Sequence, residues 1–208
     1  MLDQTTMLMF FTTSILLALS PGPDNLFVMT QAAQHGRKAG LLVTLGLCTG
    51  LLFHTAAVTF GLAALFKTSA VAFTVLKFSG AGYLLYLAWQ AFRAGAVTGA
   101  TAAVAQLNSG ALYRRGIIMN ITNPKVSIFF LAFLPQFADP GKGSLPEQIL
   151  LLGGIFIIAT IVIFGAISLL AGVFGEYFRK SAFAQKLLNR TAGAIFAALA
   201  LKLALVQR

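Results

Sequence analysis

The sequence predicts an all-α membrane protein of six transmembrane helices, arranged as two inverted three-helix repeats in which helices 1 and 4 are broken. Of its 208 residues, 58% are hydrophobic and only 10% are charged, and the mean hydropathy is +0.87. Soluble domains are about 45–50% apolar and about 25% charged, so lipid must be the solvent for much of this chain. Proline-containing interruptions at matching places in the two halves predict the inverted repeat.

Apolar runs long enough to cross a bilayer occur six times. A helical span needs about 20 apolar residues. Five runs reach that length alone, at 40–66, 71–92, 116–137, 149–174 and 187–206. The first run, 7–33, does so only if it continues through the Ser-Pro-Gly-Pro segment at 20–23. No Lys or Arg precedes this run, so we expect a retained span and not a cleaved signal peptide.

Basic residues predict the orientation. Nine of the 15 Lys and Arg residues flank the loops after spans 1, 3 and 5, and three lie on the opposite side. Because cytoplasmic loops carry an excess of Lys and Arg, these loops should lie in the cytoplasm and both termini outside. This use of the basic residues argues against a nucleic-acid partner, despite the net charge of +10.

The chain divides near its midpoint. Residues 1–93 form the first predicted repeat and 114–208 the second, joined by a cytoplasmic linker at 94–113 that is uncharged and rich in Ala, Gly, Thr and Ser. Three is an odd number of spans, so the second repeat must be inverted relative to the first. The sequence leaves homo-oligomerisation open.

Span 1 is interrupted at 20–23, and span 4 is interrupted at 120–125 by Asn-Ile-Thr-Asn-Pro-Lys. Proline removes a backbone N–H and clashes with the preceding turn. In lipid, such breaks persist where they face protein or a wet cavity. With inverted repeats, the half-helices beginning near Pro23 and at Pro124 direct their positive N-terminal ends toward mid-membrane, where they suit an anion such as a substrate carboxylate.

Two ionisable residues follow these breaks. Asp24 is about 17 Å along the helix from His35 at the cytoplasmic edge, which places it mid-bilayer. A charge there is costly and usually functional, although a carboxylate also stabilises the first turn of a helix. Lys125 lies at the positive end of a half-helix, where a cation is disfavoured. We therefore expect a negative group to compensate the charge of Lys125. This group is Asp24, a substrate carboxylate, or each of them in turn.

Other candidates are weaker. His54 lies near the middle of span 2, where a histidine can take part in transport, but a packed, hydrogen-bonded histidine is the more common case. Cys48 is the single cysteine, and we expect it to be a packing residue. Gly46 and Gly50 match a GxxxG helix-packing pattern. Lys202 lies near a span end, where it can extend to the membrane surface.

The two broken segments resemble the hallmark motifs of the lysine-exporter (LysE) superfamily, especially its homoserine/threonine-efflux (RhtB) branch. Phe129-Phe130, the segment 134–137 and the segment 82–87 fit as well. The resemblance covers essentially the whole chain. It implies a multi-pass exporter of amino acids or close derivatives in the cytoplasmic (inner) membrane of a bacterium, driven by proton exchange. By position, the family motifs fall on Pro21, Gly22, Pro23, Asp24, Asn120, Asn123, Pro124 and Lys125.

The main hypothesis is a secondary transporter that exports small amino acids of the homoserine, threonine, leucine or lysine type by proton antiport. Its partners would be the amino acid, protons and lipid, with no cofactor. A passive amino-acid or small-solute channel is an alternative. An intramembrane enzyme is another, but no Ser/His or paired-Asp constellation supplies the nucleophile and base that it would need. One cysteine is too few for a thiolate metal site.

The orientation is testable by cysteine labelling. A cysteine introduced within 94–112 should be protected from membrane-impermeant thiol reagents in intact cells, while a cysteine next to Arg208 should react. Cys48 is first replaced by serine, so that no native thiol contributes. The reverse pattern of labelling would overturn the orientation.

Overall fold

The computed structural model describes residues 2–20, 22–68, 70–95 and 107–205, and within these ranges all regular structure is helical. The helices are α1 Gln4–Leu19, α2 Pro23–His35, α3 Arg37–Thr68, α4 Ala70–Arg93, α5 Ser109–Ile121, α6 Pro124–Ile128, α7 Leu145–Lys180 and α8 Ala182–Leu205. The chain continues from α6 through a π-helical turn, Phe129–Phe133, and a 3-10 turn, Leu134–Phe137. A second short 3-10 turn, Pro140–Lys142, precedes α7.

Several helices are long and apolar enough to cross a bilayer. Three do so singly, over Arg37–Gly61, Leu145–Ala171 and Ala182–Leu205. Two bent pairs raise the number to five: α1 with α2, at an angle of 64°, and α5 with Pro124–Phe137, at 49°. The all-helical membrane class is therefore confirmed. The count of six, with α4 as the third span, stays a prediction.

The predicted linker at 94–113 is only partly visible, because residues 96–106 lie outside the described part of the chain. Its last residues already belong to α5, which begins at Ser109. The N-cap is Asn108, whose side-chain oxygen accepts a hydrogen bond from the backbone N–H of Ala111 at 2.8 Å. A polar cap of this kind satisfies one of the free N–H groups at a helix start.

Helices α3 and α5 pack closely and run parallel. Gly46 lies against the backbone of Gly116, and Gly50, one turn later, lies against Asn120. A Cβ on Gly50 would come 2.6 Å from the Cβ of Asn120, so only glycine allows this approach. The predicted packing role of Gly46 and Gly50 is confirmed, and it brings α3 directly onto the end of α5.

Helix α7 packs antiparallel to α3. Gly153, near the start of α7, lies against Thr55, while Ser168, further along α7, lies against Gly40 near the start of α3. Small side chains at both places let the two backbones come close. As a result, α3 is held between α5 and α7 along much of its length.

Polar contacts tie the two ends of the bundle. At one end, Lys142 Nζ donates to Asp3 Oδ2 at 2.8 Å, joining the start of α1 to the turn before α7. This bond, with a second from the backbone N–H of Thr6, holds the pKa of the Asp3 carboxyl below its usual range. At the other end, Asn189 Nδ2 donates to the carbonyl of Ala94 at 3.3 Å, joining α8 to the end of α4.

Candidate functional site

Both proline breaks occur where the sequence predicts them. Helix α2 begins at Pro23 and α6 begins at Pro124. Proline suits the first helical position, since the N–H it lacks would have no partner there. The breaks differ in their caps: Asn123 Oδ1 accepts the backbone N–H of Lys125 at 3.0 Å, whereas Gly22 offers α2 no side-chain cap.

A buried hydrogen bond links the two breaks. Asn123 Nδ2 donates to Asp24 Oδ2 at 2.8 Å, and both side chains are buried. Asp24 lies in the first turn of α2, where the helix dipole favours a carboxylate. Asn123 therefore caps α6 with its oxygen and holds the carboxylate of α2 with its nitrogen.

Lys125 is buried, and its ammonium lies against the end of α1. Its Nζ donates to the main-chain carbonyls of Ser20, at 3.1 Å, and Leu17, at 3.4 Å. These carbonyls are near the C-terminus of α1, where free C=O groups and the helix dipole favour a cation. Gly22 makes room for the ammonium, because a Cβ there would be 3.1 Å from Nζ.

The groups that compensate the positive charge of Lys125 thus differ in part from those that the sequence predicts. The ion pairs among the described residues are those of Lys142, and Asp24 and Lys125 are not within 4.0 Å of each other. The sequence predicts a carboxylate as the negative partner of the Lys125 ammonium. The structure shows main-chain carbonyls in that position. Asp24 and Lys125 nevertheless line one cavity, with Asn123 between them.

This cavity is small, with a volume of about 20 Å³. Its lining combines two charges, two polar side chains and an apolar wall, from Asp24, Lys125, Asn120, Thr160, Leu17, Ala18, Leu47, Val126, Phe156 and Phe164. Asp24 Oδ1 and Asn120 Oδ1 are buried and have no hydrogen-bond partner among the described residues. Buried polar atoms are normally paired, so within the lining of the cavity these two atoms are the ones that a ligand or water can pair.

The other predicted site residues have different places. Pro23 and Pro124 are exposed and act through the backbone that they interrupt. Pro21 lies outside the described residues. Residues of α7 complete the cavity, and sequence reasoning missed them. A hydroxyl within a long apolar run, such as that of Thr160, is too common in membrane helices to have identified this residue from the sequence.

Comparison with known proteins settles the family. The profile of the LysE type translocator family matches residues 15–207. The chain belongs to this family. The chain is 38% identical over 188 residues to the homoserine/homoserine lactone efflux protein of Salmonella typhimurium, and the match covers 90% of each protein.

Two further proteins are similar in sequence to this chain. It is 33% identical over 195 residues, or 94% of each protein, to an uncharacterized membrane protein of Vibrio cholerae. The leucine efflux protein of Salmonella typhimurium is 35% identical over 134 residues, which is 62% of each protein. No solved structure matches the chain. The characterised relatives are named for efflux and not for catalysis, in agreement with the absence of a catalytic constellation in the sequence.

The double role of Asn123 leads to a stability prediction. Asn123→Ala should lower the free energy of unfolding by about 2–4 kcal/mol, because it removes a cap worth about 1 kcal/mol and leaves buried Asp24 Oδ2 without its donor. The matched control is Asn108→Ala, which removes an exposed cap alone and should cost about 1 kcal/mol. Unfolding of both variants in mild detergent gives the comparison. Equal costs would show that the bond to Asp24 contributes nothing.

Proposed function

We propose that this LysE-family chain exports small amino acids from the cytoplasm in exchange for protons. Membership of a translocator family and the relatives named for efflux of homoserine, homoserine lactone and leucine support this proposal. The observation that carries it is the cavity at the two helix breaks, where buried Asp24 has one unpaired carboxylate oxygen and buried Lys125 contributes an ammonium.

The two charges suit the two ends of a zwitterion. The unpaired oxygen of Asp24, Oδ1, accepts a hydrogen bond from the substrate ammonium. Lys125 uses two of its N–H groups on main-chain carbonyls and keeps a third for the substrate carboxylate. The N-terminus of α2 has no side-chain cap, so its free N–H groups can also bind the carboxylate.

The cavity wall favours a neutral side chain. Asp24 is the one acidic residue in the lining, and it is committed to the substrate's α-ammonium. A lysine-like substrate would bring a second ammonium without a counter-charge, and an unpaired buried charge is strongly unfavourable. Apolar contact with Leu47, Phe156 and Phe164 suits the short or branched chains of homoserine, threonine and leucine.

Proton coupling follows from competition for Asp24. A protonated carboxyl no longer attracts a cation, so the proton and the substrate ammonium bind this side chain alternately. If the site faces the cytoplasm to load the amino acid and the exterior to load the proton, the exchange exports the substrate. This cycle needs two orientations of the site, which an inverted repeat provides.

We propose the six-span topology as well, in the cytoplasmic membrane with both termini outside. The packing directions support it. Spans 2 and 4 would run the same way through the membrane, as α3 and α5 do, and spans 2 and 5 would run opposite ways, as α3 and α7 do. The contact between Asp3 and Lys142 is also as expected, because both are on the predicted outer side.

Export is testable in cells and vesicles. Overproduction should protect cells from at least one toxic neutral amino acid or analogue and lower its internal concentration. In proteoliposomes, an imposed pH gradient should drive accumulation of that amino acid but not of lysine. No change with a broad panel would contradict the substrate class, and equilibration without accumulation would indicate a passive channel.

The roles of Asp24 and Lys125 give a second transport prediction. Lys125→Ala should abolish export while the protein stays in the membrane, because the carboxylate loses its cation. Asp24→Asn should abolish export or flatten its dependence on the pH gradient. Transport in proteoliposomes over a pH series measures both.

Lys202→Ala is the matched control for these variants. It also removes a lysine from a predicted span, but its Nζ lies 4.6 Å from the Phe137 ring centroid, outside the cavity. Its export should resemble that of the unmodified protein. Near-normal export by Lys125→Ala would instead show that the two broken segments are structural kinks that do not bind the substrate carboxylate.

A further inference from the structure

The histidine of α3 bridges the second helix break. His54 Nε2 lies 3.1 Å from the carbonyl oxygen of Asn120, the fourth residue before Pro124. Its ring also packs against Phe130 after the break, with centroids 5.5 Å apart at an interplanar angle of 37°. One side chain from a neighbouring helix thus contacts the chain on both sides of the bend.

The carbonyl of Asn120 needs such a donor. In an uninterrupted helix it would accept the N–H of residue 124, but proline has none. The backbone N–H of Asn123 supplies one bond at 3.1 Å, and His54 supplies the other. A carbonyl only accepts hydrogen bonds, so the proton of this bond is on Nε2 of His54.

Asn120 is held by its side chain as well. Gly50 is one turn before His54 on α3 and lies directly against the Asn120 side chain, with no space for a Cβ. The amide of Asn120 lines the cavity, and its Oδ1 has no partner among the described residues. Helix α3 therefore fixes both the main chain and the side chain of a residue that faces the candidate substrate.

We propose that His54 is a positioning residue for the substrate site: it fixes Asn120, and through the bend it fixes Asn123 and Lys125, by donating Nε2–H to the freed carbonyl. This proposal rests on the proposed transport function. It differs from a role in carrying the coupling proton, because Nε2–H is present in both the neutral ring and the imidazolium. The bond therefore persists whichever form the ring takes.

Transport kinetics in proteoliposomes test this role. His54→Leu removes the donor and should raise the KM for the exported amino acid about ten-fold, since the carbonyl of Asn120 loses one of its two donors and the bend loses its contact with α3. His54→Gln keeps an N–H donor and should restore the KM to within about three-fold, with the same pH profile as the unmodified protein. Phe53→Leu changes the adjacent, exposed residue and should leave the KM unchanged.

Two kinetic results would overturn the proposal. One is an unchanged KM in His54→Leu. The other is a His54→Gln protein as impaired as His54→Leu and with a flattened pH profile, which would make the histidine a proton carrier. If His54→Leu does not reach the membrane, Gly50→Ala tests the same contact from the other side. It keeps the histidine but displaces Asn120, and an unchanged KM would count against the proposal.

A measurement independent of transport separates this inference from the proposed function. The chain has two histidines, His35 and His54, so nitrogen-15 labelling of histidine gives two sets of ring signals, and His54→Gln assigns them. We expect His54 to carry its proton on Nε2, in a hydrogen bond. An Nε2 without a proton would contradict the proposed hydrogen bond to the carbonyl of Asn120. If the unmodified protein transports no amino acid, the proposed function fails, while this measurement still decides the contact.

Discussion

Every carbonyl that a proline break frees inside a membrane must find another donor, and the arrangement of this protein depends on that constraint. Bulk water is absent from the hydrocarbon core, where an unpaired backbone group costs several kcal/mol. Side chains serve instead. Asn25 donates to the carbonyl of Ala18, Lys125 donates to those of Leu17 and Ser20, and His54 lies on that of Asn120. Each break is thus stabilised by side chains from outside the helix whose carbonyls they pair.

The same contacts place charge in the interior. Lys125 belongs to α6 but is stabilised by the end of α1, and Asp24 belongs to α2 but is held by the N-cap of α6. Neither break can move alone without removing a partner from the other. The two charges are therefore a property of the paired breaks and not of either helix. The unpaired oxygen of Asp24 is what this arrangement leaves for a ligand.

The sequence was sufficient for the family, the all-helical membrane class and the residues at which the breaks occur. Proline has one dominant effect on a helix, so the starts of α2 and α6 could be predicted from Pro23 and Pro124. The partners of Lys125 could not. Main-chain carbonyls are the same at every residue, and which of them a lysine reaches depends on how two helices cross. The contribution of Thr160 and Phe164 likewise depends on the rotation of α7, which a uniformly apolar run does not specify.

The bond between Lys142 and Asp3 has a different sensitivity from the buried site. Their side chains are 44% and 48% exposed, so dissolved ions surround them, and at about 1 M salt the screening length falls to about 3 Å. The side chains of Asp24 and Lys125 are buried, and the surrounding protein shields them from those ions. Ionic strength therefore loosens the tie between the first helix and the turn before α7 while the cavity keeps its charges. High salt can thus distinguish the contribution that the exposed Lys142–Asp3 bond makes to stability from the contribution of the buried contacts of Asp24 and Lys125.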